Sequence, residues 1–361
     1  MKCIHCNHDS KYSERKDTGR CPGCKHPFAF EPTKGDPFTD GLIQSAIEAV
    51  SSKGAVRFCV EHVYYEVCRR MYKKRTPVIV VWIVLTVGGV ASFFLASYPF
   101  NYFIPLGFVA AAILATVIWH KRDDVKMSFF EFERYWFRWC EAHGAPKGLI
   151  VRKHPSRHPL AAEPDLGDYS FDRAVICDTV ATVDLLLANQ FHFENNCAVL
   201  SIDGYPPGPF DLVRKMLQRN PQLQVFVLHD ATPEGCRMAH KLATDPDWFK
   251  GKAKIIDVGL RPVHANAFKG LWRAVSKKVT AGDGITASEG DWLSAYSLAL
   301  AAVRPEQVLK RLFRAINRLP EPTATSSSNG GGGGGGGVLI IGDDSFSSEA
   351  GDADGGADAF G

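Results

Sequence analysis

Gln224-Val225-Phe226-Val227-Leu228-His229-Asp230 is a short apolar run that closes on a histidine and an aspartate, with Thr232-Pro233-Glu234-Gly235 directly after it. A run of this length, rich in Val and Phe and bounded by turn residues, reads as a strand buried on both faces. Three more runs resemble it, at residues 174–177, 198–202 and 254–256, and helical segments separate them. Strands alternating with helices predict a βαβ series and a parallel sheet. Each run is followed by an aspartate, giving Asp178, Asp203, Asp230 and Asp257 at intervals of 25, 27 and 27 residues. Parallel strands put their C-terminal ends at one edge, so the four carboxylates are expected on one side of the sheet, where open α/β folds place their sites. With Glu234 they form a candidate Mg²⁺ or phosphate-ligand site, and Asp178 and Asp230 are the candidate catalytic pair. The competing reading is that these aspartates cap helices or start turns.

The stretch from Val225 through Gly235 resembles the Toprim family, which ends its third strand with D-x-D and a P-x-G turn and carries a glutamate after its first strand. The resemblance covers about residues 170–260. Here Asp178 stands for the glutamate and Thr232 for the second aspartate, so it implies a degenerate domain that binds, with metal-dependent phosphoryl transfer or nuclease chemistry as the alternative. His229 is either a site residue or a structural histidine beside a buried strand. No G-x-G-x-x-G follows the first strand and no G-x-x-x-x-G-K-[ST] occurs, which disfavours a nicotinamide, flavin or P-loop nucleotide site. Cys177, Cys197 and Cys236 read as small core residues.

Ten cysteines are present. Cys3-Ile4-His5-Cys6 and Cys21-Pro22-Gly23-Cys24 lie fourteen residues apart, a spacing that lets two turns each offer two thiolates to one tetrahedral zinc. Gly23 is expected to supply a positive φ for its turn. Residues 1–30 resemble the zinc-ribbon family, which implies structural zinc at Cys3, Cys6, Cys21 and Cys24, with His5, His8 and His26 as spare donors. Seven Lys and Arg against five acids up to Asp36 give no charge-based support for nucleic-acid binding. A protein partner is the expected use.

Residues 76–120 hold no Asp, Glu, Lys or Arg over 45 positions. A single helix of that length would be about 67 Å long, twice a bilayer core, so the stretch is expected to fold into a two-helix transmembrane hairpin turning at Ser97-Tyr98-Pro99-Phe100-Asn101. Basic residues lie on both outer flanks and none in the turn, which predicts an inner-membrane protein of bacterial type, bound to the lipid bilayer, with both termini cytoplasmic. No signal peptide is readable at the N-terminus.

The expected organisation is a ribbon at 1–30, a helical linker at 38–75 with Asp40 as a helix cap, the hairpin at 76–120 and an aromatic juxtamembrane helix at 126–144. The α/β domain follows at 169–280, then C-terminal helices at 285–319 and a disordered Gly-rich acidic tail at 320–361. Within the C-terminal part, helices are predicted over 289–303 and 305–319, the second burying Val308, Leu309, Leu312, Phe313 and Ile316 and exposing Lys310, Arg311, Arg314 and Arg318. The tail carries eight successive glycines and then Val338-Leu339-Ile340-Ile341, a candidate docking segment. Residues 342–361 add six acids and no base, so the rest of the chain carries +9 against +3 for the whole. The fold class expected is therefore a multidomain membrane protein with a zinc ribbon, a transmembrane hairpin and a mainly parallel α/β domain, acting as a membrane-anchored binding or scaffold protein.

Overall fold

In a computed structural model the described residues are 1–72, 87, 127–151, 172–207, 210–220, 222–250, 253–317 and 338–340. Four strands, β1 (Arg173–Cys177), β2 (Cys197–Ser201), β3 (Gln224–Leu228) and β4 (Lys254–Asp257), form a parallel sheet in the order β2-β1-β3-β4. A fifth strand, numbered β7 in chain order (Val338–Ile340), pairs parallel with the outer edge of β4. β2 and β3 are buried at every position, as a sheet covered on both faces requires. Alternate residues feed two cores. Val175, Cys177, Phe226, Leu228 and Ile256 face one, and Ala174, Ile176, Val225, Val227 and Ile255 the other.

Several helices begin where a Ser or Thr side chain caps them. After α1 (Tyr12–Arg15), Thr39 accepts from the Leu42 N–H to open α2 (Asp40–Val50), so Asp40 is not the cap expected there. Asp40 is fully buried and accepts from the Ala29 and Phe30 N–H groups at 3.0 and 2.9 Å. α3 (Val60–Met71) follows, and then α4 (Phe129–His143), capped by Ser128. α5 (Val180–Ala188) is capped by Thr179, and α6 (Phe191–Glu194) and α7 (Phe210–Arg219) come next. α8 (Pro233–Thr244) is capped by Thr232 with Pro233 in its first turn, where the missing N–H costs nothing. A short pair, β5 (Arg273–Ala274) and β6 (Tyr296–Ser297), brackets α9 (Ala287–Ala295), and α10 (Pro305–Asn317) closes the domain.

Several expectations are corrected. Apart from Val87, the segment 76–120 of the transmembrane hairpin lies outside the described residues, and among the described residues no helix is long and apolar enough to cross a membrane. The membrane fold class and the inner-membrane placement are therefore withdrawn in favour of a parallel-sheet α/β protein with a cysteine ribbon. An uncharged apolar stretch reports avoidance of water and is not by itself a membrane span, and one face of each flanking helix joins the core. Phe132, Trp136 and Trp139 of α4 are buried in the same core as Tyr64, Val67 and the sheet, and the Tyr64 hydroxyl donates to the Met127 carbonyl at 2.7 Å.

The helix predicted over 289–303 stops at Ala295 because the chain is drawn to the sheet. Ala231 and Leu298 exchange backbone hydrogen bonds at 2.9 and 3.2 Å. On α10, Arg311 is buried and donates to the Val258 carbonyl at 3.0 Å, while Phe313 is 52% exposed. Arg311 belongs to the inner stripe of Val308, Leu312 and Ala315 by helical phase, and its long stem packs while its head finds an acceptor. The tail, expected to be disordered throughout, contributes β7.

Candidate functional site

Two clusters gather the residues singled out by sequence. At the N-terminus each C-x-x-C pair forms the same turn. Cys3 N–H donates to the His8 carbonyl and Asn7 N–H to the Cys3 carbonyl, and Cys21 N–H to His26 and Lys25 N–H to Cys21 repeat the pattern at 2.9–3.0 Å. The positive φ falls on Asn7 (57°) and Lys25 (62°), one residue past each pair, and not on Gly23 as expected. The thiols are free, with Cys3 and Cys24 sulfurs 3.6 Å apart and Cys6 and Cys21 sulfurs 3.6 Å apart. All four lie within 4.8 Å of one another. Zn–S bonds of about 2.3 Å in a tetrahedron set sulfurs about 3.8 Å apart, whereas a disulfide needs about 2.05 Å. The donor set therefore fits one tetrahedral metal ion such as zinc, and it is the only such cluster among the described residues. The Cys24 backbone N–H, followed by that of Gly23, holds the Cys21 thiol down to about 6.

The spare histidines serve another purpose. His5 stacks on His26 at 3.8 Å and meets His143 Nδ1 at 3.3 Å, and His143 Nε2 reaches Asp40 at 2.8 Å. Arg138 of α4 donates to Asp36 and to the Ala29 carbonyl, both at 2.8 Å. The ribbon is thus pinned to α2 and α4. His143 and Arg138 carried no motif that sequence reading could have found.

At the sheet edge the strand order reverses between β1 and β3, the position where doubly wound folds open a ligand crevice. Asp178 and Asp230 end those two strands and meet there: Asp178 Oδ2 accepts the Asp230 backbone N–H at 2.7 Å. Neither caps a helix, since Thr179 and Thr232 do so. Thr232 is committed to the Gly235 N–H at 3.1 Å. Burial, then the Asp230 charge, pushes the Asp178 carboxyl up to about 7, and burial raises Asp230 as well.

The crevice is filled by the chain itself. Asp230 Oδ1 accepts from the Leu300 N–H at 2.7 Å, and Leu298 is paired to Ala231. The same segment is held from the other side, where Arg69 of α3 donates to the Ala302 carbonyl at 2.7 Å. Buried Glu66 receives Arg304 at 3.0 Å.

Asp257 belongs to a separate, closed chain of charges. His229 is fully buried with Nδ1 at 2.7 Å from the Asp230 carbonyl and Nε2 at 2.9 Å from Asp257 Oδ1. Both partners only accept, so both nitrogens carry protons and the ring is an imidazolium. Burial pushes His229 down, and Asp257 outweighs it to leave the group above its ordinary value. Burial likewise pushes Asp257 up, but His229 and then Arg261 hold it down to about 2. Arg261 donates to Asp257 Oδ2 at 2.7 Å and, in fork geometry, to Glu289 at 2.7 and 2.8 Å. Two cations and two anions balance.

A Cβ on Gly259 would fall inside the His229 ring, and one on Gly235 would press on the Asp230 carbonyl and the other side of His229, which gives the Pro-Glu-Gly glycine a packing reason. Asp203 is exposed, and Glu234 is exposed and paired with Lys277. The five candidate carboxylates thus separate into one adjacent pair, one sealed ion pair and two surface acids, and no metal-capable cluster forms among them in the described residues. The parallel sheet and the cysteine cluster are the parts of the two resemblances that are present. No protein-family model matches the chain, nor does any curated protein or solved structure match it.

Proposed function

We propose that this chain is a non-enzymatic binding or scaffold protein, in which a zinc-held ribbon and a degenerate Toprim-like domain present one surface to a protein or phosphate-bearing ligand. One observation carries the reading: the switch-point crevice is occupied by Leu298 and Leu300 of the chain itself, with an Asp230 oxygen spent on the Leu300 N–H. A catalytic carboxylate pair needs access, and the Leu298–Leu300 segment lies against this one, with one oxygen of each aspartate engaged by a backbone N–H. Zinc is the metal that four thiolates at these separations suit, and its closed shell leaves no position for an activated water. Elemental analysis of the purified chain is expected to give one zinc per molecule.

A second reading has one observation in its favour. Asp178 Oδ1 is buried with no hydrogen-bond partner, as a ligand oxygen awaiting Mg²⁺ would be. Calorimetric titration of Mg²⁺ and Mn²⁺ into the wild type and Asp230→Ala separates the two. Absence of aspartate-dependent binding supports the scaffold; millimolar or tighter binding lost in the variant, accompanied by phosphodiester hydrolysis, overturns it.

A further inference from the structure

β7 reaches the sheet from a distance in sequence. Twenty residues, 318–337, separate it from the end of α10, and eight of them are the glycines at 330–337. It adds to the side of β4 that no other strand pairs with among the described residues, with Ile255, Ile256 and Asp257 opposite Val338, Leu339 and Ile340. An unpaired edge is a row of backbone donors and acceptors ready to take an extended chain.

The alternation of a parallel ladder says which groups are used. Lys254 and Val258 N–H donate to Leu223 and Val227 of β3, so Ile255 and Asp257 turn their amides and carbonyls outward to the tail. The register then places Leu339 between them, supplying both its own N–H and its carbonyl. We infer that the outer edge of β4 is a strand-acceptor site whose resident occupant is the chain's own Val338–Ile340 segment, captured in cis and exchangeable.

Capture in cis follows from the connection. Twenty residues span at most about 70 Å, which keeps the segment at an effective concentration of about a millimolar or more. A second copy at micromolar concentration is outcompeted by that factor. Exchangeability follows from the size of the contact. Three paired residues at the end of a long connection hold by few backbone bonds, so opening is local and leaves the four-strand sheet in place. The edge also adjoins the polar network, because the outward-turned amide of Asp257 belongs to the residue whose side chain neutralises His229 and Arg261.

The experiment is amide hydrogen exchange on the full chain. Wild type is expected to protect the Ile255 and Asp257 amides. Leu339→Pro removes the central tail donor and is expected to raise their exchange at least tenfold while Lys254 and Val258 stay protected. Leu339→Ala keeps the backbone donor and is expected to retain most of the protection. A peptide of residues 337–342, added to the Leu339→Pro chain, is expected to restore protection at Ile255 and Asp257 and to have no effect on wild type. Equal exchange in wild type and Leu339→Pro, or a peptide without effect on the proline variant, overturns the inference. So does wild-type protection that appears only with a concentration-dependent dimer in light scattering, since the occupant is then a second copy.

Discussion

The cysteine ribbon and the polar edge of the sheet both gather ionisable side chains in a small volume, and they leave them in opposite condition. In the ribbon four thiols converge, each 3.6 Å from a neighbour, in a donor set that suits one tetrahedral metal ion. At the sheet edge every charge of the Asp257 network already has its counter-charge, in the order His229, Asp257, Arg261, Glu289. The ribbon's donors are all of one kind and suit a metal, whereas the donors and acceptors of the sheet edge satisfy one another. The two clusters look alike only as counts of chemically capable residues.

The strongest way to break this contrast is to take the metal from the ribbon. Structural zinc in such a segment contributes on the order of 10 kcal/mol or more of folding free energy. Cys21→Ser, or a strong chelator, is expected to abolish zinc binding and to unfold residues 1–28 while the sheet keeps its protection. Elemental analysis paired with hydrogen exchange reads both. Survival of the ribbon amides in the metal-free state would show that the His5–His143–Asp40 contacts and Arg138 hold it unaided.

The next largest effect lies in the sheet-edge cluster. Asp257→Ala leaves buried His229 and Arg261 without their shared anion, and breaking a buried ion pair from one side costs about 3–5 kcal/mol. A denaturant midpoint is expected to fall accordingly, with zinc content unchanged. If the variant is as stable as wild type, the network is not closed and Asp257 is available to a ligand. Gly259→Ala tests the same cluster by volume: the added methyl meets the His229 ring and is expected to cost about 1–3 kcal/mol by overpacking.

The difference between the clusters also explains what was legible beforehand. The cysteine site could be read because its ligands sit in two local turns whose spacing alone fixes their geometry. The strands could be read because both faces of a parallel sheet demand continuous apolar runs. The division among the aspartates could not. It depends on Arg261, 4 residues from the Asp257 it binds, on Glu289, 28 residues from the Arg261 it holds, and on Leu300, 70 residues from Asp230. Asp178, Asp230 and Asp257 look equivalent as strand-terminal aspartates; only the partners differ. The same tertiary demand ended the helix at Ala295, where Leu298 pairs with Ala231, and turned Arg311 inward to the Val258 carbonyl. The hairpin was inferred from the absence of charge, and nothing in the described residues spans a membrane.

The smallest expected effect is a pH dependence that separates the carboxylates within the sheet edge. Asp178 has its carboxyl raised to about 7 in the folded chain, by burial and by Asp230, against about 3.8 unfolded. A group that binds its proton more tightly when folded favours the fold while protonated, so its contribution is complete near pH 4 and is lost as pH rises towards 7. Asp257 runs the other way: held down to about 2, it contributes fully above the unfolded value near 4 and is lost only as pH falls towards 2. His229, raised above its ordinary 6.5, adds stability that is present below that value and declines as pH climbs through its folded pKa. The charged groups facing Asp178 are Asp230, itself raised by burial, and His229, and Leu300 offers only an amide to Asp230. Thermal midpoints of wild type are expected to decline from about pH 5 to pH 8. Asp178→Asn keeps an oxygen for the Asp230 N–H, has no proton to lose, and is expected to flatten the part of that decline below pH 7 while raising the midpoint at neutral pH. An unchanged slope in Asp178→Asn would mean that Asp178 is already ionised in the fold, and an ionised, partnerless Oδ1 is the condition in which a cation would be bound there.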